Sequence, residues 1–140
     1  MSDDDLIPAS SSALEAVGIH EVLGVKIVEC SPARVVLRLP VGPSVHQPYG
    51  LLHGGVSALL AESAASMGAA LNAGPDKGVV GIELSASHLR GMSEGMLTAT
   101  ATPIRVGRAI QVWHIALVDQ ANRMICDAKC TVAIVDRPTD

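Results

Sequence analysis

The stretch "HQPYGLLHGGVSALLAESAASMGAAL" (residues 46–71) predicts the element around which the rest of the chain is arranged. From Gly54 onward it consists almost entirely of Gly, Ala, Ser and Leu, and "AGPDKG" (residues 73–78) follows as a helix-ending segment. We therefore predict one long helix from Gly54 to about Asn72. One face of this helix repeats with helical spacing and comprises Val56, Leu59, Leu60, Ser63, Ala64, Met67 and Leu71.

The opposite face of the predicted helix carries its single ionisable side chain, Glu62. The other members of that face are small and uncharged: Gly55, Ala58, Ala65, Ser66 and Ala69. A helix that lacks charge on every other side is typical of an element buried all round. Because an unpaired buried carboxylate is costly, Glu62 is either a structural carboxylate, paired with an arginine or a backbone amide, or part of a functional site.

The rest of the chain is predicted to be mostly strand. Two strands precede the helix after a loop-forming segment (residues 40–53) rich in proline and glycine, and four follow it. They are Val25–Cys30, Arg34–Leu39, Gly78–Leu89, Met96–Ile104, Ile110–Val118 and Met124–Val135. A short helix is predicted over Ser11–Val17, capped by Ser12 and ended by Gly18. The order predicts an α+β fold in which an antiparallel sheet of about six strands wraps around one long central helix.

Length and composition indicate one domain. The chain has 140 residues, of which 49% are apolar, enough for one sizeable core. We expect a disordered acidic tail over residues 1–11, a single domain over residues 12–136 and a short tail over residues 137–140. No apolar run reaches the length of a membrane span, and the acidic start does not resemble a secretory signal. A cytoplasmic protein without membrane partners is therefore expected.

The charge balance and the cysteines exclude several further classes. A net charge of −4, with one Trp, one Tyr and no Phe, argues against a nucleic-acid partner. Cys126 and Cys130 lie in one predicted strand, about 13 Å apart, which is too far for a disulfide. With Cys30 the count is odd and no C-x-x-C occurs, so buried thiols are predicted.

A hydrolytic centre is one explanation of the predicted helix. Ser66 lies one turn beyond Glu62 on the same face. Gly54 and Gly55 open the helix, where free N–H groups and the helix dipole favour negative charge. A carboxylate can activate water or attack a carbonyl carbon, while a helix N-terminus can stabilise the oxyanion that forms.

Four segments resemble the hotdog-fold acyl-CoA thioesterases: "QPYGLLHGG" and "AES" around the helix start, then "VVGIELSASHLR" and "GRAIQVW". Within that family the resemblance is to the group of Arthrobacter-type 4-hydroxybenzoyl-CoA, phenylacetate-degradation and 1,4-dihydroxy-2-naphthoyl-CoA thioesterases. It extends from about Gly24 to Ile134. It implies a hotdog fold and hydrolysis of an acyl-CoA, with aryl-CoA as the first candidate. Coenzyme A would be part of the substrate, and no separate cofactor is expected.

The resemblance also implies roles for individual residues. Glu62 would be the catalytic carboxylate, as nucleophile or general base, and the Gly54 amide would polarise the thioester carbonyl. Gln47 and His53 would line the site, and Ser66 would orient water or the leaving group. The residues implied to border the CoA site are His88, Arg90, Arg105, Gly107 and Arg108. Simpler explanations remain open: Gln47 could cap a turn, His53 could be structural, and the arginines could be solvated.

Two other patterns in the sequence are interpreted as structural. "GMSEG" (residues 91–95) matches G-x-S-x-G, but a strand rather than a helix follows it, so Ser93 is predicted to be a hairpin residue. His46 and His53 are seven residues apart, which is not a metal-binding pattern, and no metal is predicted. His20 and His114 are interpreted as structural.

The same residues leave two alternative functions open and predict an oligomeric state. The alternatives are a hotdog module that binds acyl-CoA without cleaving it, and a hotdog dehydratase or hydratase. Gly54 and Glu62 are eight residues apart, or about 12 Å along a helix, so one chain cannot bring both to one carbonyl group. We therefore predict a homodimer with shared active sites, in which Gly55, Ala58, Ala65 and Ala69 allow two antiparallel helices to approach. The resemblance implies that such dimers pair into tetramers.

Overall fold

The computed structural model describes residues 17–137. After the short helix α1 (Ile19–Leu23) come the strands β1 (Lys26–Ser31) and β2 (Arg34–Val41), a 3-10 turn (Pro43–Val45) and the long helix α2 (Gly54–Ala73). Four strands complete the chain: β3 (Lys77–His88), β4 (Gly95–Val106), β5 (Ile110–Val118) and β6 (Met124–Asp136). The predicted long helix and six strands are confirmed, each end within two residues of its predicted position.

The N-terminal helix differs from the prediction. Residues 11–16 of the predicted Ser11–Val17 helix lie outside the described residues, as do the predicted tail over residues 1–11 and all but the first residue of the predicted tail over residues 137–140. The structure instead begins α1 directly after Gly18, where the sequence indicated a helix end. Gly24 then ends α1 in the left-handed conformation, with φ 76°, which glycine adopts without steric cost.

All six strands form one antiparallel sheet in the order β1-β2-β4-β5-β6-β3. Helix α2 packs across this sheet, and its core partner Trp113 is fully buried. The Trp113 indole N–H donates to Oε1 of Gln111 at 3.0 Å, and Nε2 of Gln111 donates to the Ala69 carbonyl at 3.1 Å. Strand β5 is thus tied to α2 by polar groups that are paired inside the core, as buried polar groups must be.

The buried face of α2 takes residues from both of the faces that the sequence distinguishes. The side chains buried against the sheet are mostly small: Ser57, Leu60, Ala61, Ala64, Ala65, Gly68 and Ala69. The larger Leu59, Met67 and Leu71 are only half-buried at the margins. A helix can approach a sheet closely only where its side chains are small, and a Cβ at Gly68 would collide with the Trp113 ring. Small residues together with Leu60 therefore form the core face of α2.

The prediction that α2 is buried all round is wrong for the single chain. Glu62 is exposed, as is Gly55 near the helix start. The sheet covers one side of α2 and leaves the side that bears Glu62 open. Ala65 and Ala69 are fully buried within their own chain, so the predicted approach of a second helix through these two residues is also wrong.

The predictions of buried cysteines and of no membrane-spanning helix can be compared with the described residues. Cys30, Cys126 and Cys130 are free and buried, as predicted. Burial raises the pKa of the Cys30 thiol to about 11. Burial, with a smaller contribution from the charge of Glu62, raises the pKa of Cys130 to about 11 as well. Among residues 17–137, no helix has the length and apolar character of a membrane span.

Candidate active site

At the start of helix α2, one backbone N–H group is unpaired and the next is capped by a side chain. His53 is the N-cap, and its Nδ1 accepts a hydrogen bond from the Gly55 N–H at 2.8 Å. Because Nδ1 accepts, the ring proton of the neutral imidazole lies on Nε2. The Gly54 N–H has no hydrogen-bond partner within residues 17–137. The helix N-terminus therefore offers the Gly54 amide and the His53 Nε2–H as unused donors. His53 also has a structural role, because it caps the helix.

The loop before the helix holds Gln47 in one orientation. The Gln47 side-chain oxygen accepts from the Tyr49 N–H at 2.5 Å and the Leu51 N–H at 3.3 Å. The backbone closes the same turn, since the Gly50 N–H donates to the Gln47 carbonyl at 3.0 Å. Gly50 has φ 77°, a conformation that favours glycine. Gln47 thus caps a turn, and its Nε2 amino group is left as a hydrogen-bond donor.

A cavity of about 420 Å³ opens at this end of the molecule. That volume is within the range of small-molecule sites. Its lining contains Gln47, Leu51, Leu52, Gly54, Ser57, His88, Leu89, Arg90, Gly91 and Ile125. The His88 ring lies so close to the helix start that a Cβ at Gly54 would be 3.0 Å from its Nε2. Glycine at position 54 therefore lets the His88 ring pack against the open N-terminus.

Glu62 and Ser66 lie away from this cavity. Neither side chain forms a hydrogen bond or an ion pair within the part of the chain that the structure describes. Glu62 is exposed on the open side of α2 and leans against β3 at Gly81. Gly54 and Glu62 are eight positions apart, which corresponds to about 12 Å along the helix. One chain therefore presents the donors and the carboxylate as two separate half-sites.

The remaining predicted residues divide between the two ends of the sheet. His88 and Arg90 line the cavity. Arg105 lies at the end of β4, and Gly107 and Arg108 follow it in the β4–β5 connection, where the Ile134 N–H donates to the Ala109 carbonyl. Ile134 pairs with Val79 at the start of β3, nine residues from His88, which is about 30 Å of strand. Within one chain, the two groups predicted to border the CoA site do not meet.

Sequence reasoning missed several lining residues and misplaced Ser93. Ser57 is buried in the cavity wall, and its position three residues after Gly54, one helical turn away, was the available signal. Ser93 is not in a hairpin, because β3 pairs with β6 and β4 pairs with β2 and β5. It lies in an exposed bend, where its carbonyl accepts from His46 Nε2 at 2.7 Å. No strand–turn–helix element surrounds it, so the rejection of a nucleophilic Ser93 stands as a prediction.

The two histidines interpreted as structural both have partners. His20 Nε2 lies 2.7 Å from the Ser63 hydroxyl and connects α1 to α2. His114 Nε2 lies 2.6 Å from an Asp127 carboxylate oxygen on the exposed side of the sheet. Both contacts join neighbouring elements. The expectation that no metal is bound stays a prediction.

Comparison with known proteins identifies the class. The family model of the thioesterase superfamily matches residues 49–126. The chain therefore belongs to the thioesterase superfamily, with the six-stranded sheet and central helix of its hotdog fold, and it is a thioester hydrolase. This favours hydrolysis over the binding module and the dehydratase considered above.

Individual relatives show which members of the thioesterase superfamily this chain resembles. The chain is 44% identical over 118 residues to 1,4-dihydroxy-2-naphthoyl-CoA hydrolase of Listeria monocytogenes, covering 84% of this chain and 96% of that protein. It is 37% identical over 115 residues to the proofreading thioesterase EntH of Cronobacter turicensis, covering 82% and 84%. A variant of thioesterase PA1618 from Pseudomonas aeruginosa has a similar structure, with TM-score 0.85, 34% identity and coverage of 98% and 96%.

Proposed function

We propose that this thioester hydrolase cleaves an acyl-CoA, with an aryl-CoA as the preferred substrate, into a carboxylic acid and coenzyme A. The observation that carries the proposal is the unpaired Glu62 carboxylate on the same helix whose N-terminus presents an unused Gly54 N–H to a cavity. The name of the Listeria relative, a 1,4-dihydroxy-2-naphthoyl-CoA hydrolase, supports an aromatic acyl group. A cytoplasmic location, where CoA thioesters occur, is part of the proposal.

The proposed chemistry assigns one task to each half-site. The thioester oxygen accepts hydrogen bonds from the Gly54 N–H and from Nε2 of Gln47, which stabilise the charge of the oxyanion. Glu62 either takes a proton from water as the hydroxyl attacks the carbonyl carbon, or attacks that carbon itself. The C–S bond then breaks and the CoA thiolate leaves and takes up a proton. In the second route, water hydrolyses the resulting anhydride. Ser66, with its free hydroxyl, orients the water.

Two solved variants support the pairing of Gln47 with Glu62. Structures of a Staphylococcus aureus thioesterase have been determined with a glutamine replaced by alanine in one case and a glutamate in the other. The two replaced positions are fifteen residues apart in that protein. Gln47 and Glu62 have the same separation here. The agreement in residue type and spacing favours the same two side chains as the pair that acts on the substrate.

The second half of each site is proposed to come from a second copy of the chain. Strand β3 is the sheet edge next to β6, and its other edge has no partner strand within residues 17–137. It also exposes Val80 (48%) and Ile82 (58%). A long apolar edge strand of this kind is a template for pairing with another strand. Antiparallel pairing of two β3 strands about a two-fold axis would satisfy this edge and produce two identical sites.

Such a dimer would unite the separated residues. Antiparallel pairing brings the end of one β3 strand, at His88, towards the start of the other β3 strand. Gly54 packs beside His88, so it would approach Glu62 of the partner subunit. Arg105, Gly107 and Arg108 of the partner subunit would then approach His88 and Arg90. Arginine suits the phosphates of the CoA nucleotide. Glu62, exposed in one chain, would be enclosed in the dimer, and pairing of dimers into tetramers is part of the same proposal.

The function is tested by thiol release from a panel of aromatic, short-chain and long-chain acyl-CoAs. We expect the highest kcat/KM for aromatic acyl groups, with Glu62→Gln as the inactive control. A highest kcat/KM for a long-chain acyl-CoA would contradict the substrate proposal and leave the assignment of Glu62 standing. Equal turnover by Glu62→Gln would contradict the mechanism.

A further inference from the structure

The Glu62 side chain lies directly against the backbone of strand β3. A methyl group at Gly81 would be 2.7 Å from Oε1 of Glu62, 2.9 Å from Cδ and 3.1 Å from Cγ. Ordinary contacts of a Cβ are 3.4–4 Å. Any side chain at position 81 would therefore occupy the space that the carboxylate now fills.

Backbone conformation does not explain the glycine at position 81. The described glycines with positive φ are Gly18, Gly24, Gly50, Gly74 and Gly95, and Gly81 is not among them. Alanine would be accepted by the backbone here. The local strand is also irregular, because the pairing of β3 with β6 shifts register between Gly81 and Glu83. Such bulges occur beside active sites, where they redirect side chains.

We propose that Gly81 is a positioning residue for the Glu62 carboxylate, an inference that rests on the proposed function of Glu62. Because Gly81 has no side chain, the Glu62 carboxylate can lie against the backbone of the edge strand. In this position the carboxylate is exposed and faces the proposed second chain. The same strand thus forms the proposed dimer edge and holds the carboxylate. Because Glu62 is long and flexible, an added methyl group moves the carboxylate and leaves the strand in place.

The size of the effect follows from the distances. To restore a 3.4 Å contact, Oε1 must move by about 0.7 Å, and a misplacement of about 1 Å can cost about a hundredfold in rate. We therefore expect Gly81→Ala to lower kcat by about 10- to 100-fold while KM stays within about threefold. The matched control is Gly78→Ala on the same strand, whose methyl group would lie 3.3 Å from Cγ2 of Val135 and at an ordinary 3.8 Å from the backbone of Asp136 and Arg137. This control should retain kcat within about threefold.

A double-mutant cycle tests whether the effect passes through Glu62. In a Glu62→Gln background, Gly81→Ala should change the residual turnover by less than about twofold, because the catalytic carboxylate is already absent. An equal loss in both backgrounds would overturn the inference. So would a Gly81→Ala protein that unfolds or loses its oligomeric state in analytical ultracentrifugation, because the backbone rather than the carboxylate would then bear the contact.

The outcomes separate this inference from the proposed function. If Glu62→Gln is inactive and Gly81→Ala has wild-type kcat, the positioning role is wrong and the function stands. If Glu62→Gln has wild-type turnover, Glu62 is not the catalytic carboxylate, and the positioning role of Gly81 is then wrong as well.

Discussion

Mixing two inactive variants tests whether each active site uses two chains. Glu62→Gln removes the carboxylate, and Gln47→Ala removes the amide donor that the turn at Gly50 orients. Each homodimer should lose at least about a hundredfold in kcat, the scale of one acid–base group or one oxyanion donor. Gln47 lines the cavity and Glu62 lies outside it, so the two substitutions remove groups from different half-sites.

The expected recovery can be calculated from two-fold symmetry. In an equal mixture that exchanges freely, about half of the dimers are hybrids. If sites are shared, each hybrid contains one site with neither substitution, so the mixture regains about a quarter of wild-type turnover. The 12 Å between Gly54 and Glu62 exceeds the few ångströms that the Glu62 side chain can reach, which is why we expect this result.

The control uses a chain with both substitutions mixed with wild-type chains. Shared sites predict about a quarter of wild-type turnover, since every hybrid site then contains one substituted residue. Sites within single chains predict about a half. Turnover is measured by thiol release, and hybrid formation by mass spectrometry of the native complexes. Confirmed hybrids without recovered activity would refute the two-chain site.

Three further predictions concern single substitutions. Glu62→Gln should lower kcat by at least about a hundredfold with an unchanged melting temperature, and near wild-type turnover in a folded protein would exclude Glu62 from the mechanism. Ser93→Ala should change kcat by less than about threefold, or about 0.7 kcal/mol in activation free energy; loss of activity together with covalent labelling of Ser93 by a serine-directed reagent would restore it as a nucleophile. Ile82→Lys places a charge on the exposed edge of β3 and should shift sedimentation towards monomer and abolish turnover, since charged edge strands resist pairing; an active dimer with this substitution would place the interface elsewhere.

Local pattern in the sequence was sufficient for the long helix and the six strands, although not for α1, which begins after Gly18. Alternating and apolar runs, with glycine and proline between them, predicted six strands and one helix with ends within two residues. These features depend on neighbours within one turn or a few strand residues. The same local information identified Gly54 as the helix start, whereas the role of Gln47 was implied by the family resemblance.

Only the tertiary structure decided which residues meet. The sheet order places β3 beside β6 at the edge and separates it from β4, although β4 follows it in the chain. No local pattern encodes that crossover, and it is the reason that Ser93 lies outside a hairpin and that Glu62 lies beside Gly81. The buried face of α2 also depended on the sheet, because the Trp113 ring on β5 leaves no room for a side chain at Gly68. Sequence by itself determined the long helix, the six strands and the chemical groups they carry, since these depend on short-range backbone and side-chain preferences. The position of Glu62 against Gly81, the approach of His88 to Gly54 and the cavity lined by these two residues depended on contacts between distant segments, and such contacts exist only once the chain is folded.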